Sequence, residues 1–172
     1  MTAEEILAHI RNVPDFPKPG ILFKDITTAL QKPEVFNAII ENLYGLIKDL
    51  DIDYIAAIES RGFIFGAPLA YKMGIGLVII RKPGKLPSDV YREEYSLEYG
   101  IDVLEMHKDA VKKGKNVLIV DDLLATGGTI TAACRLVKQA GANVVGTLFL
   151  IELAALSQNA NIPAPVYSLI KC

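Results

Sequence analysis

The chain has 172 residues, 51% of them hydrophobic, which suits one domain with a substantial buried core. Its formal net charge of −2 gives no sign of a nucleic-acid-binding surface. No apolar run approaches the ~18 residues of a membrane-spanning helix, and acidic residues stand where the apolar core of a secretory signal would begin. The two cysteines, Cys134 and Cys172, are far apart, which indicates reduced thiols. Together these features predict a cytoplasmic protein with no membrane or nucleic-acid partner.

The N-terminal segment joins a short helix to an irregular stretch. Thr2 and Glu5 form a capping-box pattern, which predicts a short amphipathic helix. Its apolar face would carry Ile6, Leu7 and Ile10. Residues that favour turns then predict an extended, irregular segment; they are Pro14, Pro17, Pro19 and Gly20.

Helical and strand patterns alternate through much of the remaining sequence. Pro33 is well placed to begin a helix whose apolar face continues to Ile47, and a later helix is predicted to end at Gly74. Short apolar runs predict buried strands at 54–58, 77–80, 117–120 and 144–151. This alternation predicts the α/β class, with a central parallel sheet flanked by helices and ligands at the carboxyl ends of its strands.

Between residues 80 and 103 neither pattern holds. Prolines and a glycine interrupt any regular element there, and many charged residues make the stretch polar. A structureless stretch of this length in a compact domain is typical of a functional lid or of disorder, and a surface hairpin with solvated charges is the alternative. Residues 95–99 and 104–107 are predicted to form strands.

Residues 117–129 carry the most specific functional signal in the sequence. A buried strand is followed by two carboxylates, Asp121 and Asp122, and then by a turn of small residues. The turn consists of Ala125, Thr126, Gly127, Gly128 and Thr129. A helical pattern from 130 to 140 comes next and ends at Gly141. The order is therefore strand, acidic pair, glycine-rich turn and helix.

This order suits a phosphorylated sugar as ligand. Glycines let the backbone approach a ligand closely, so that N–H groups of the turn and of the helix N-terminus can converge on a phosphate. The hydroxyls of Thr126 and Thr129 can donate further hydrogen bonds. The acidic pair would repel the phosphate, so we expect it to bind ribose hydroxyls or water around Mg²⁺. A ribose 5-phosphate is the simplest ligand that satisfies both halves.

Other phosphate-binding motifs fit these residues less well. A P-loop needs a lysine after its glycines, and none follows Gly128. A dinucleotide-binding turn needs Gly-x-Gly-x-x-Gly between strand and helix, whereas the Gly-x-Gly at 74–76 precedes a strand. The remaining alternative is a tight turn between strand and helix, with solvated acids at the end of the strand.

The motif at 117–129 resembles the phosphoribosyl-pyrophosphate (PRPP) motif of type I phosphoribosyltransferases. Other segments narrow the resemblance to the members that act on adenine; they are residues 13–17, 19–27, 59–63, 81–87 and 95–100. The resemblance implies the type I phosphoribosyltransferase fold in a single domain over 1–172. It also implies a small N-terminal hood at about 1–30 and a flexible lid loop at about 82–100.

The activity implied by the resemblance is that of a purine-salvage enzyme. Such an enzyme transfers the phosphoribosyl group of PRPP to adenine, giving AMP and pyrophosphate. The resemblance further implies a homodimer, and Mg²⁺ held through PRPP and water rather than by direct protein ligands. Transfer to another purine base and a PRPP-sensing regulatory protein are the alternatives.

Specific roles at the phosphate, sugar and pyrophosphate follow from the same resemblance. Residues 125–129 would bind the 5-phosphate, and Asp121 and Asp122 would bind the ribose. The pyrophosphate contacts would come from Ser60, Arg61, Gly62, Arg81, Lys82, Lys85 and Tyr99. Of these, Arg61 and Gly62 are expected in a loop after the strand at 54–58, and the cations at 81–85 could reach across a dimer interface. The peptide bond between Glu59 and Ser60 is expected to be cis.

At the base end, the resemblance places the main chains of Leu22 and Lys24 against the adenine edge. Phe23 and Leu123 would cover the two faces of the ring. An irregular backbone at 21–24 would leave its main-chain groups free for this contact, which also tolerates Lys24 where the family pattern has Arg. Glu98 would take a proton from the attacking adenine nitrogen. The alternative is that Glu98 is an exposed charged residue on a strand with no catalytic role.

Overall fold

The computed structural model of the protein describes residues 1–97 and 100–172, with only the backbone of residue 97. In sequence order, its elements are α1 (Ala3–Leu7), β1 (Arg11–Pro14), β2 (Leu22–Asp25), α2 (Thr27–Leu30), α3 (Pro33–Ile47), β3 (Tyr54–Ile58), α4 (Arg61–Met73), β4 (Gly76–Ile80), β5 (Val90–Leu97), β6 (Gly100–His107), β7 (Asn116–Leu124), α5 (Gly128–Gln139), β8 (Asn143–Glu152), α6 (Ala154–Ser157) and β9 (Val166–Lys171). The longest of the described helices has 15 residues, and none of them has the length and apolar character needed to cross a bilayer.

A five-stranded sheet forms the centre of the protein, in the order β4-β3-β7-β8-β9, and every pair of neighbours is parallel. Side chains of β7 alternate between two apolar layers, because successive residues of a strand point to opposite faces. Leu118 and Val120 pack with α3 and α4, whereas Val117 and Ile119 pack with α5. The predicted α/β class, with a parallel sheet buried on both faces, is confirmed.

Several element boundaries agree with the sequence predictions. Thr2 accepts a hydrogen bond from the Glu5 N–H, and the Glu5 carboxylate accepts one from the Thr2 N–H, which completes the capping box. Gly74 ends α4 in the left-handed conformation, at φ 66°. Helix α1 ends at Leu7, so Ile10, which was predicted to lie on its apolar face, comes after the helix, although it is buried in the same apolar layer. Strand β9 was not predicted.

The N-terminal segment is more regular than the sequence predicts. Strands β1 and β2 pair antiparallel as a hairpin, with Val13 opposite Phe23 and Pro14 opposite Leu22. The turns are confined to the connection between the strands, which contains a cis peptide bond before Pro17. The prediction of an irregular backbone at 21–24 was therefore wrong for residues 22–24, because strand pairing overrides the local turn signals on either side.

The stretch between residues 80 and 103 is also largely a hairpin, formed by β5 and β6. The prediction of a structureless stretch was wrong for residues 90–94 and 100–103, which the alternative of a solvated hairpin describes better, and the predicted strands are present at the described residues 95–97 and at 104–107. Along β5, Tyr91, Glu93 and Tyr95 are less exposed than the residues between them, as expected of a strand with one buried face. Because the charged Glu93 is one of these less exposed residues, the apolar alternation typical of a strand is interrupted. Main-chain hydrogen bonds between Arg81 and Glu105 join this hairpin to the edge of the central sheet.

Candidate active site

The carboxyl ends of β3 and β7 form the cleft at which the predicted site residues meet. Strand β4 follows β3 in sequence and lies on one side of it in the sheet, whereas β7 lies on its other side. The strand order therefore reverses between β3 and β7, which makes this position a topological switch point. A cleft of about 220 Å³ lies there. Its described lining residues include Ser60 and Arg61 after β3, Lys82 after β4, and Asp121, Asp122, Leu123 and Thr129 after or within the end of β7.

The glycine-rich turn lies next to this cleft and around a smaller cavity of about 150 Å³, lined by residues 123–130 and others. Gly127 precedes α5 with φ 87°, a conformation that favours glycine, and a Cβ on it would lie 2.8 Å from the Ala160 Cβ. Helix α5 has no side-chain cap at this end. The first N–H groups of a helix have no acceptor inside the helix, so here they are available to an anion. The predicted sequence of strand, turn and helix is confirmed, but α5 begins at Gly128 rather than at 130, so Gly128 and Thr129 belong to its first turn.

The acidic pair lies within the end of β7, because the strand continues through Leu124. The Asp121 carboxylate accepts the Asp122 N–H at 2.9 Å. The side chain of Asp122 is only 7% exposed; its Oδ2 lies 3.0 Å from Arg61 Nε but has no hydrogen bond of good geometry. Burial, reinforced by the charge of Asp122, raises the pKa of Asp121 well above 3.8.

Burial also raises the pKa of Asp122, while the Arg61 charge partly offsets this effect. The pair thus holds one buried oxygen that lacks a well-aligned donor, Asp122 Oδ2, and a sugar hydroxyl or metal-bound water would supply it. Oxygen donors of this kind suit Mg²⁺. Among the described residues, no cluster of three or more His, Cys, Asp or Glu side chains is placed to hold a metal directly. The oxygens of the acidic pair fit a Mg²⁺ ion, which they would bind through its water ligands.

Arg61 and Gly62 occupy the first turn of α4, not a loop as predicted. Gly62 is buried against β7, and a Cβ on it would lie 2.8 Å from the Val120 carbonyl oxygen. The close approach of helix and strand therefore depends on this glycine. It brings the Arg61 side chain to Asp122 and to the Phe23 ring, whose centroid lies 5.2 Å from the Arg61 Cζ. The expected cis peptide bond between Glu59 and Ser60 is confirmed.

The β1–β2 hairpin contacts the cleft residue Arg61 through Phe23, which also packs edge-on against Phe16 at 5.2 Å between ring centroids. Pro14 has no N–H, so it cannot exchange both ladder hydrogen bonds with its partner Leu22. Bonded and non-bonded pairs alternate along an antiparallel ladder, so a non-bonded pair at Pro14 and Leu22 would direct the main-chain groups of Leu22 and Lys24 away from β1. The ammonium of Lys24 points elsewhere and donates to Asn12 Oδ1 at 2.9 Å.

The three cations after β4 all have carboxylate partners. Lys82 pairs with Asp102 and donates to the Tyr95 hydroxyl at 2.9 Å. Arg81 Nη2 lies 3.2 Å from Glu59 Oε1, and Lys85 pairs with the same carboxylate. Lys82 lines the cleft, whereas Arg81 and Lys85 lie outside the set of described residues that line it.

Comparison with known proteins agrees with this geometry. A family model described as Phosphoribosyl transferase domain matches residues 26–172. A protein of Chloroflexus aurantiacus named adenine phosphoribosyltransferase is 52% identical, over 99% of each sequence. The chain belongs to the adenine phosphoribosyltransferase family.

Solved structures of family members have the same fold. The crystal structure of adenine phosphoribosyltransferase from Thermoanaerobacter pseudethanolicus matches with a TM-score of 0.96 and 53% identity, over 99% of this chain and 100% of that one. The Saccharomyces cerevisiae enzyme matches with a TM-score of 0.92 and 41% identity, over 97% of each protein. That enzyme was crystallised with adenine and D-2,5-dideoxy-2,5-imino-altritol 1,6-bisphosphate.

Most residues expected in an adenine phosphoribosyltransferase site lie together in this protein. The cleft is lined by Ser60, Arg61, Lys82, the acidic pair and Leu123. Residues 125–129 border it, and Phe23 of the hood contacts Arg61. Gly62 lies beneath the cleft. Glu98 and Tyr99 fall outside the described residues.

Three further polar residues around the cleft were not predicted from the sequence. Glu59 and Tyr95 line it, and Asp102 pairs with the cleft residue Lys82. Glu59 belongs to the segment 59–63 that carries the family resemblance, so its position was a usable signal. Asp102 and Tyr95 become neighbours only through the hairpin register, in which they lie opposite each other.

Proposed function

We propose that this protein transfers the 5-phosphoribosyl group from PRPP to adenine and releases pyrophosphate and AMP, as a purine-salvage enzyme. The observation that carries this proposal is the convergence of an uncapped helix N-terminus, a buried acidic pair and two cations at neighbouring strand ends. Family membership supports the reaction, and the adenine bound by the yeast relative supports the choice of base.

The phosphate and ribose of PRPP would bind at the end of β7. Main-chain N–H groups of residues 125–129 would hold the 5-phosphate, helped by the hydroxyls of Thr126 and Thr129. Asp121 and Asp122 would accept hydrogen bonds from the ribose hydroxyls. Burial raises the pKa of both acids, and hydrogen bonds from the ribose would offset this effect. Ribose binding would therefore favour the charged form of the pair.

The pyrophosphate would lie between the start of α4 and the segment after β4. Ser60, Arg61 and Lys82 line this part of the cleft, and the first N–H groups of α4, which has no side-chain cap there, would donate to the pyrophosphate. Negative charge collects on the pyrophosphate as its bond to the ribose breaks, so fixed cations and N–H donors stabilise the transition state. Bound Mg²⁺ would supply additional positive charge to the same oxygens.

Adenine would bind between the hood and β7. Its edge presents an amine donor beside a ring-nitrogen acceptor, a pattern that backbone carbonyl and N–H groups can match. The main chains of Leu22 and Lys24 would make this contact, with Phe23 and Leu123 on the two faces of the ring. We further propose that Glu98 takes the proton released as the adenine nitrogen attacks.

We also propose that the enzyme is a homodimer and works in the cytoplasm. The edge strand β4 presents Leu77 and Ile79, which are 43% and 38% exposed, next to Arg81 and Lys85. A second copy covering this edge would bury the apolar side chains and bring the two cations near the partner cleft. Cys134 and Cys172 are both unpaired, as expected in a reducing compartment.

The test is a spectrophotometric assay of PRPP with adenine, hypoxanthine, guanine and uracil in parallel, with and without Mg²⁺. Of the four bases, we expect only adenine to form a nucleotide, and we expect this activity to be lost when a chelator removes Mg²⁺. Faster turnover of another base would assign a different specificity. Nucleotide binding without any turnover would instead favour a regulatory protein.

A further inference from the structure

Glu59 is the most heavily hydrogen-bonded carboxylate of the cleft. Its side chain is 9% exposed, and it accepts the Lys82 main-chain N–H at 2.7 Å. The same carboxylate pairs with Arg81 and with Lys85. The Glu59 N–H donates to the Ile80 carbonyl at 2.9 Å, so main chain and side chain both bind the residues that follow β4.

These donors keep Glu59 charged. Burial alone would raise its pKa, but the hydrogen bonds from Lys85, from the Lys82 N–H and from Arg81 outweigh burial and lower the pKa to about 2. An unpaired carboxylate at this place would repel a pyrophosphate bound next to Ser60. Because three donors surround it, most of its charge is neutralised locally.

A second buried carboxylate holds the same stretch of backbone, residues 81–85, which we name the cation segment. Glu105 is 7% exposed and accepts the Gly84 N–H at 3.1 Å, while its own main chain exchanges two hydrogen bonds with Arg81. The cation segment is thus anchored at Arg81, Lys82 and Gly84. From this anchored backbone, the Lys82 side chain reaches the cleft.

We propose that Glu59 is a positioning residue for the pyrophosphate site. It ties the cation segment to the turn that carries Ser60 and Arg61, so that the cations following β3 and β4 face the pyrophosphate together. Glu59 itself makes no contact with the substrate in this proposal. The inference rests on the proposed function and extends it to a residue outside the contacts expected from the family resemblance.

The test replaces Glu59 by Gln, which keeps the shape but removes the charge that holds Arg81 and Lys85. A matched control is Glu152→Gln: Glu152 is also largely buried and accepts hydrogen bonds from Ser157 and Ser168, but it is absent from the described lining of the cleft. Steady-state kinetics with adenine and PRPP would be measured for both variants, together with calorimetric binding of pyrophosphate in the presence of Mg²⁺.

For Glu59→Gln we expect the KM for PRPP to rise about tenfold and the KM for adenine to stay within about twofold, with pyrophosphate binding weakened in parallel. Glu152→Gln should leave both KM values unchanged. A merely structural role would lower the thermal stability of Glu59→Gln without changing the KM for PRPP, and that result would overturn the proposal. A lower KM would also overturn it, because Glu59 would then be withholding cations from the substrate.

A second variant, Glu59→Asp, and the activity of the parent enzyme complete the test. If Glu59→Gln does not fold, Glu59→Asp keeps the charge but shortens the reach, and its KM for PRPP should rise about threefold; an unchanged KM would overturn the proposal. The parent enzyme must form AMP from adenine and PRPP in the same assay. If it does not, the proposed function fails, whereas an active parent with unaffected Glu59 variants rejects the positioning role alone.

Discussion

Alanine at position 62 would test the close packing beneath the acidic pair. A Cβ on Gly62 would lie 2.8 Å from the Val120 carbonyl oxygen, 3.1 Å from Asp121 Oδ1 and 3.2 Å from the Asp121 Cα. Two of these atoms belong to the β7 main chain, which cannot rotate away as a flexible side chain would. Helix α4 or the end of β7 must therefore shift.

Overpacking of this kind costs about 1–3 kcal/mol, and the better helix propensity of alanine returns at most about 1 kcal/mol of it. We expect a net loss of about 1–2 kcal/mol, or about 2–8 °C in Tm for a domain of this size. The shift also moves Asp121 and Arg61 relative to each other. Since small misplacements of catalytic groups are costly, turnover should fall about tenfold or more.

The matched control is Gly45→Ala in α3. Gly45 is also a helical glycine, but it is exposed and no atom lies within 4 Å of the position of its Cβ. Alanine there should stabilise the helix by about 0.5–1 kcal/mol and raise Tm slightly. Thermal unfolding followed by circular dichroism, together with AMP formation, would compare the two variants. A Gly62→Ala variant that gains Tm as Gly45→Ala does, and keeps its turnover, would refute the role given to this close packing.

Three other variants test the site itself. Folding raises the pKa of Asp121 above its ordinary value of 3.8, so the charged side chain destabilises the folded protein when the pH rises above 3.8. Asp121→Asn should therefore raise Tm by an amount that grows as the pH rises above 3.8, while AMP formation falls. Glu98→Gln should lower single-turnover rates by about 10²–10⁴ without changing the KM for PRPP, and a change of only a few-fold would exclude proton transfer. Lys24→Met should leave the KM for adenine unchanged in steady-state assays, because its expected contact is through the main chain; a large rise would show a side-chain contact.

The central sheet and the phosphate turn could be predicted because their signals are local. Buried strands such as β7 are continuous apolar runs, and the turn before α5 is a run of small residues between a strand and a helix. Gly74 marks the end of α4 for a similar reason, since its left-handed conformation favours glycine. Each of these features depends mainly on residues within one or two turns of the backbone.

The features that the sequence did not predict depend on distant pairing. Strands β2 and β5 exist because a partner strand lies beside them, and their turn residues and charges hide the alternation. The carboxylate partners of the cations follow the same rule: Glu59 and Lys85 are separated by 26 residues, and Lys82 and Asp102 by 20. Such neighbours become visible only when strand order and register are known.

The contact between Arg61 and Phe23 bears on the search for inhibitors. The guanidinium carbon lies 5.2 Å from the ring centroid, so a flat heterocycle that stacks on this face of Phe23 must displace a cation–π contact of about 0.5–1 kcal/mol. Pyrophosphate, by attracting Arg61 to its oxygens, would leave the ring face open to a weak binder. We therefore expect fragment screens to find more flat aromatic hits when pyrophosphate and Mg²⁺ are included than with the protein alone.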